Sequence, residues 1–182
     1  PEELAAQLEA RRREGFDGVN LTVPHKEAAV RLMDGLDATA RLFGAVNTVR
    51  IDANGLTGFN TDAEGFLTDL ALSGRMTPEA RRVLILGCGG AGRALAIACV
   101  HRGAAEVLLA NRTVVKADRL AEDIGRVLPD VATRLSVLPP DPAVWAARCR
   151  EVDLVVQCTT AGLHADDAPV LPPSAFRPGQ LL

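Results

Sequence analysis

The chain has 182 residues and a mass of 19.2 kDa, with 48% apolar and 24% charged side chains, 16 glycines and 11 prolines. Those proportions describe an ordinary soluble globular protein and exclude a disordered tail, a collagen-like repeat and a disulfide-stapled miniature. The formal charge of -3, from 20 Lys plus Arg against 23 Asp plus Glu, gives no general attraction to nucleic acid or anionic lipid. No apolar run approaches the ~18 residues of a membrane span, and Pro1-Glu-Glu begins an amphipathic segment instead of a signal peptide, so cytoplasm is expected. Cys88, Cys99, Cys149 and Cys158 lack close metal-ligand spacing and read as reduced thiols.

Glu2 to Arg13 carries Leu4, Ala5 and Leu8 before a basic tail, which predicts a surface helix, and Phe16 to Leu21 reads as a short strand. A helix follows from near Thr22 and Pro24, with Ala29, Val30 and Met33 on one face. Ala45 to Ile51 is a strand, Ala53-Asn54-Gly55 a turn, and Leu56 to Asn60 the return strand. Thr61 and Glu64 have the spacing of a capping box ahead of a helix bearing Phe66, Leu67, Leu70 and Ala71. Ser73 to Ala80, with Gly74 and Pro78, marks a domain boundary, giving domains at 1–78 and 79–182. Strands then alternate with helices: Arg82 to Leu86, Gly90 to Arg102, Glu106 to Ala110, Val114 to Leu128, Arg134 to Leu138, Pro142 to Cys149 and Asp153 to Cys158. The pattern is α/β: an N-terminal α/β domain followed by a doubly wound, Rossmann-type domain. Leu181 and Leu182 read as the start of another buried strand, so the second domain is expected to be incomplete.

Gly87, Gly89 and Gly92 form G-x-G-x-x-G directly after a strand and at the opening of a helix. The first allows a tight turn, the second lets a pyrophosphate approach the backbone, and the third allows close helix packing, with free helix N–H groups facing the anion. A turn needed only by the fold is the competing reading. Asn111 follows the second strand of this domain, 24 residues after Gly87, where an NAD-selective site places Asp or Glu. Here stand Asn111, Arg112, Thr113 and Lys116, two cations without a carboxylate, which favours the 2'-phosphate of NADP. The plain alternative is a solvated helix start, although cations in a first turn oppose the helix dipole unless an anion joins them.

In the first domain, N-L-T-V-P-H-K (20–26) puts Asn20 and Thr22 at a strand end and Lys26, the only lysine of its domain, in a first helical turn. An ammonium there suits proton exchange with a carbonyl or alcohol oxygen, and a surface lysine is the alternative. Asp62 opens the capped helix, where an acid is favourable without any catalysis. Asn47-Thr48 is a polar pair inside a strand and needs partners.

These segments, with G-A-V-N-T-V (44–49), G-F-N-T-D-A-E-G (58–65), G-C-G-G-A-G-R-A (87–94), N-R-T-V-V-K (111–116) and Q-C-T-T-A-G-L (157–163), resemble the successive signatures of shikimate dehydrogenases, in order and spacing. The resemblance implies Lys26 and Asp62 as the catalytic pair, Asn47 on substrate hydroxyls, and Asn20 and Thr22 at the pocket edge. It implies Gly87, Gly89, Gly90, Ala91 and Gly92 as the pyrophosphate loop, and Asn111, Arg112, Thr113 and Lys116 as the adenosine phosphate site. Thr159 falls in the loop near the nicotinamide. The implied reaction is reduction of 3-dehydroshikimate to shikimate with NADPH, in aromatic amino-acid biosynthesis, by a monomer or homodimer without nucleic-acid or membrane partners. Cys88, Gln157 and Leu163 depart from the alanine, asparagine and methionine usual in the family. The family's opening strand with paired serines and its closing Y-N-P-type segment and glutamine-bearing helix are absent, so both domains are expected to be partial and the carboxylate pocket unfinished.

Three other readings compete: a relative acting on quinate with NAD or NADP, a nucleotide-binding module without turnover, and a folate-linked methylene dehydrogenase, against which G-F-N-T-D and N-R-T weigh. His25, His101 and His164 form no metal set, and Trp145 is expected in the core.

Overall fold

The computed structural model describes residues 2–74, 76–164 and 166–182; Pro1, at the start of the first predicted segment, and Arg75, within the predicted linker, lie outside the described residues. Contacts group the chain into two compact units, the first ending at Gly65 and the second running over Phe66–Leu182. The division falls inside a helix, upstream of the glycine- and proline-bearing stretch at 73–80. Just past that helix the chain already packs within the second unit: a Cβ on Gly74 would lie 2.7 Å from the Leu181 side chain, and Met76 donates its N–H to the Leu70 carbonyl at 3.2 Å.

The first unit holds helix α1 (Glu2–Arg13), strand β1 (Gly18–Asn20), a single-turn helix α2 (Lys26–Ala29), strand β2 (Gly35–Leu36), helix α3 (Ala38–Phe43), strands β3 (Thr48–Asp52) and β4 (Gly55–Phe59), and the start of helix α4 (Asp62–Leu72). Its sheet runs β1-β3-β4-β2, antiparallel except for the β2/β4 pair. Leu4 and Leu8 of α1 pack with Ala29, Ala40, Val46, Val49 and Ile51 to form the core.

Two boundaries differ most from the sequence reading, and two short elements are absent from it. Helix α2 starts at Lys26, not near Thr22, because the Thr22 carbonyl closes a turn by accepting from the His25 N–H at 2.9 Å. β3 starts at Thr48, not Ala45, because the carbonyl of Ala45 is taken by the Asn60 side chain and the N–H of Val46 by the Lys26 carbonyl. The two-residue β2 and six-residue α3 carry too little periodicity to predict; α3 exists through its ends, Asp37 accepting from the Ala40 N–H at 2.8 Å and Gly44 closing it with φ +61°.

The second unit adds β5 (Arg82–Leu86), α5 (Gly90–His101), β6 (Glu106–Ala110), α6 (Val114–Val127), β7 (Leu135–Val137), α7 (Pro142–Cys149) and β8 (Leu154–Gln157). All strands are parallel in the order β7-β6-β5-β8, with β5 between the crossovers. That is the doubly wound arrangement expected. Burial is continuous along β5 and β6 because helices cover both faces, so no alternation appears in V-L-I-L or V-L-L-A. Trp145 is buried with Leu84, Leu108, Leu138 and Val155, and its indole N–H reaches the Pro139 carbonyl at 2.6 Å. Leu181 pairs in parallel with Leu154, as a further strand would, while Leu182 is exposed and not buried as expected. Among the described residues no helix is long and apolar enough to cross a membrane.

Candidate active site

Three of the five residues singled out in the first unit meet in one polar cluster. Lys26, at the first position of α2, donates from Nζ to Asp62 Oδ2 at 2.7 Å, with side chains 15% and 27% exposed. Asn47, in the segment entering β3, donates from Nδ2 to the other carboxylate oxygen, Oδ1, at 2.8 Å. Both oxygens of Asp62 thus have a donor, and the carboxylate plane is fixed by partners from two other segments. Lys26 spends one of its three N–H bonds on Asp62, which leaves donors for another acceptor. Asn47 Oδ1 accepts from the Thr61 N–H at 3.0 Å and from the Thr48 hydroxyl at 2.9 Å, so the polar pair inside the strand finds its partners locally.

Asn20 and Thr22 stand apart from this cluster. Both are exposed, and among the described residues their side chains make no hydrogen bond to Lys26, Asp62 or Asn47. They flank it through the backbone: Asn20 is in register with Thr48, and the intervening Leu21 donates its N–H to the Asn47 carbonyl at 2.8 Å. Two free polar side chains therefore line the strand edge beside a fixed cation–carboxylate pair, an arrangement able to hold hydroxyl groups and deliver a proton to an oxygen.

In the second unit the predicted nucleotide residues gather at the C-terminal ends of β5, β6 and β8, the end at which open parallel sheets bind ligands. Gly87 has φ +101°, and a Cβ there would lie 2.9 Å from the backbone of Cys158 and Thr159. A Cβ on Gly92 would lie 1.9 Å from the Gly87 carbonyl oxygen, so helix α5 can approach β5 only with glycine at that position. A Cβ on Gly89 meets nothing within 4 Å: the backbone faces open space at the start of α5, where Gly90, Ala91 and Gly92 form the first turn. This is the cradle that an anion requires.

Asn111 spends its side chain inside the protein. Its Oδ1 accepts from the Cys88 N–H at 3.1 Å and its Nδ2 donates to the Thr113 carbonyl at 2.8 Å, tying the glycine loop to the turn before α6. Arg112, Thr113 and Lys116 are exposed, and neither cation forms an ion pair with any described residue. The first turn of α6 also holds no acidic side chain. Thr159 packs its methyl against Gly87, and its N–H donates to Gln157 Oε1 at 2.8 Å. Gln157 also donates to the Ala161 carbonyl at 3.1 Å, so the extra methylene relative to asparagine is absorbed by a brace across its own loop. Burial pushes the thiol of Cys88 up to about 12 and that of Cys158 up to about 11, which keeps both neutral where an anion would be held.

Asn60 and Thr61 are members of the first cluster that sequence reasoning missed. Thr61, read as one half of a capping box, has its hydroxyl bonded to Asn47, at 2.9 Å from Nδ2. Asn60 bonds the N–H of Asp62 with its Oδ1 at 3.1 Å. The available signal was three successive polar residues, Asn60-Thr61-Asp62, between a strand and a helix.

Two family models match the chain: "Shikimate dehydrogenase substrate binding domain" over residues 1–49 and "Shikimate / quinate 5-dehydrogenase" over residues 69–164. The chain is similar to the shikimate dehydrogenase (NADP(+)) of Geobacter metallireducens, with 40% identity over 163 residues that make up 90% of this chain and 56% of the relative. Among solved structures, it resembles shikimate 5-dehydrogenase from Thermus thermophilus in complex with NADP(H) and shikimate, at 40% identity and a TM-score of 0.78, covering 96% of this chain and 60% of that one. It also resembles quinate dehydrogenase from Corynebacterium glutamicum in complex with NAD, at 30% identity and a TM-score of 0.83, covering 98% and 62%. The chain thus spans about three fifths of the length of the relatives it matches.

Proposed function

The chain belongs to the shikimate dehydrogenase family, and from that premise we propose that it is part of an NADP-dependent shikimate dehydrogenase, which interconverts 3-dehydroshikimate and shikimate. The single observation that carries this reading is the Lys26–Asp62–Asn47 cluster, in which one ammonium, one carboxylate and one carboxamide are bonded in series at 2.7 and 2.8 Å. A polyhydroxylated ring needs such a set: acceptors and donors for its hydroxyls, and an N–H donor for the oxygen that gains charge.

Lys26 delivers the proton to the ring oxygen during reduction and takes it back during oxidation. Negative charge grows on that oxygen along the reaction, so the ammonium bonds it more strongly in the transition state than in the ground state. Asp62 accepts a substrate hydroxyl and holds Nζ in place, and Asn47 orients Asp62 while bonding a neighbouring hydroxyl. Asn20 and Thr22 form the edge of the same pocket.

The residues of the second unit fit NADP. Gly87 to Gly92 would hold the pyrophosphate on the backbone of α5, Arg112 and Lys116 the 2'-phosphate, with Thr113 beside them. Asn111 would brace the two loops, and Thr159 would line the nicotinamide side. When bound, NADPH supplies the hydride. Four cysteines that stand as free thiols support placing the enzyme in the cytoplasm.

A second reading, oxidation of quinate, is favoured by the likeness to the Corynebacterium glutamicum enzyme. Steady-state rates of the full-length protein with shikimate and quinate, each with NADP+ and NAD+, separate the two. The expected result is a kcat/KM for shikimate with NADP+ at least about 10-fold above every other pairing, the size of one well-placed polar contact. A higher value for quinate would replace this reading with the second.

A further inference from the structure

Asn60 is 2% exposed, and it is the one polar side chain that is fully buried among the described residues. A buried carboxamide costs free energy unless its groups are bonded, and here each type of group is. Nδ2 donates to the Ala45 carbonyl at 3.0 Å, Oδ1 accepts from the Asp62 N–H at 3.1 Å, and its own N–H donates to the Thr39 hydroxyl oxygen at 3.1 Å. Thr39 in turn donates to Asp37, the cap of α3, at 2.6 Å. The carboxamide therefore spans two segments that the sequence keeps fifteen or more residues apart: the 44–47 segment that ends on Asn47, and the first residue of α4, Asp62.

We infer that Asn60 is a positioning residue, acting through Asp62 and Asn47 to hold the proton-transfer cluster in register. The inference rests on the shikimate dehydrogenase reading above. A glutamine is a methylene too long for the two bonds, and a leucine makes neither. Aspartate is the informative replacement, because its protonation state switches the donor on and off. As the neutral acid it keeps one acceptor for the Asp62 N–H and one O–H donor for the Ala45 carbonyl, as asparagine does. As the carboxylate it turns an acceptor toward that carbonyl. The charged groups around the site are Asp62 on α4, with Lys26 on α2 beyond it, and Asp37 reached through Thr39 on α3.

The test is kcat and KM for shikimate oxidation by the full-length protein and its Asn60→Ala and Asn60→Asp variants, between about pH 8 and about pH 5.5, a range chosen for a carboxyl held above its usual range. Asn60→Ala is expected to lower kcat by about 10- to 100-fold with a smaller change in KM, as for a small misplacement of reacting groups. Asn60→Asp is expected to match it at the upper pH and to recover toward the parent as pH falls, when its rate is divided by the parent's. An asparagine that only stabilises the fold leaves kcat per folded enzyme unchanged in Asn60→Ala. A kcat for Asn60→Ala within about twofold of the parent, or a flat Asn60→Asp ratio, overturns the inference. If Asn60→Ala does not fold, the pH ratio for Asn60→Asp decides alone. If the parent turns over neither shikimate nor quinate, the functional reading fails by itself, and crystal structures of the parent and Asn60→Asp at the two pH extremes decide this one. An Asp62 carboxylate that stays bonded to Lys26 and Asn47 at both then overturns it.

Discussion

Lys26→Ala in the full-length protein should lower kcat for shikimate oxidation by about 100-fold or more, with a smaller change in KM. The expectation follows from where the bond strengthens. Lys26 Nζ lies 2.7 Å from Asp62 and keeps two further N–H donors, so on the proposed reading it would meet, in the reactive complex, the oxygen on which charge builds. On the same proposal substrate hydroxyls would keep Asp62, Asn47, Asn20 and Thr22 when Lys26 is removed, so binding should suffer less than turnover. Initial-rate kinetics of parent and variant check this. Turnover near the parent's value would remove Lys26 from the mechanism.

Arg112→Ala should weaken NADP+ by about 10- to 100-fold while leaving NAD+ much less affected, because one charge-assisted contact to phosphate is worth on the order of 1.5 to 3 kcal/mol. Arg112 can grip a phosphate through parallel N–H bonds, and Lys116 would neutralise it as a point charge. Both stand exposed at the start of α6 without an ion-pair partner, and the Asn111 side chain, already bonded to Cys88 and Thr113, offers the ribose no carboxylate. NAD+ gives neither cation a partner. Catalytic efficiencies for both nucleotides in the parent and the variant test this; equal losses for both, or a parent that prefers NAD+, would contradict the role given to Arg112.

Much of the second unit could be read from the chain because its signals are local. G-x-G-x-x-G specifies its own turn, with Gly87 at φ +101° and Gly92 against the Gly87 carbonyl. V-L-I-L and V-L-L-A announce strands buried on both faces, and β6 spans the residues expected, Glu106–Ala110. The first unit was less legible. β2 has two residues, and its place beside β4 comes from tertiary pairing, which no period reveals. α2 is a single turn whose start is decided by the Thr22 carbonyl. The Lys26–Asp62 pair joins residues 36 apart, and pattern alone left each with a plain alternative, surface lysine or helix-capping acid; only the 2.7 Å contact ties them. Asn60 reads only as the last residue of the return strand, since its burial depends on α3, which the sequence also hides.

The most direct test of the proposed activity is NADPH consumption by the full-length protein on addition of 3-dehydroshikimate, measured alongside the same reaction in Lys26→Ala. The expected result is one NADPH oxidised for each shikimate formed by the parent, with the variant slowed by about 100-fold while it binds the nucleotide as tightly. A parent that binds NADPH and consumes none with 3-dehydroshikimate would instead make the chain part of a nucleotide-binding module without this turnover, and would contradict the account.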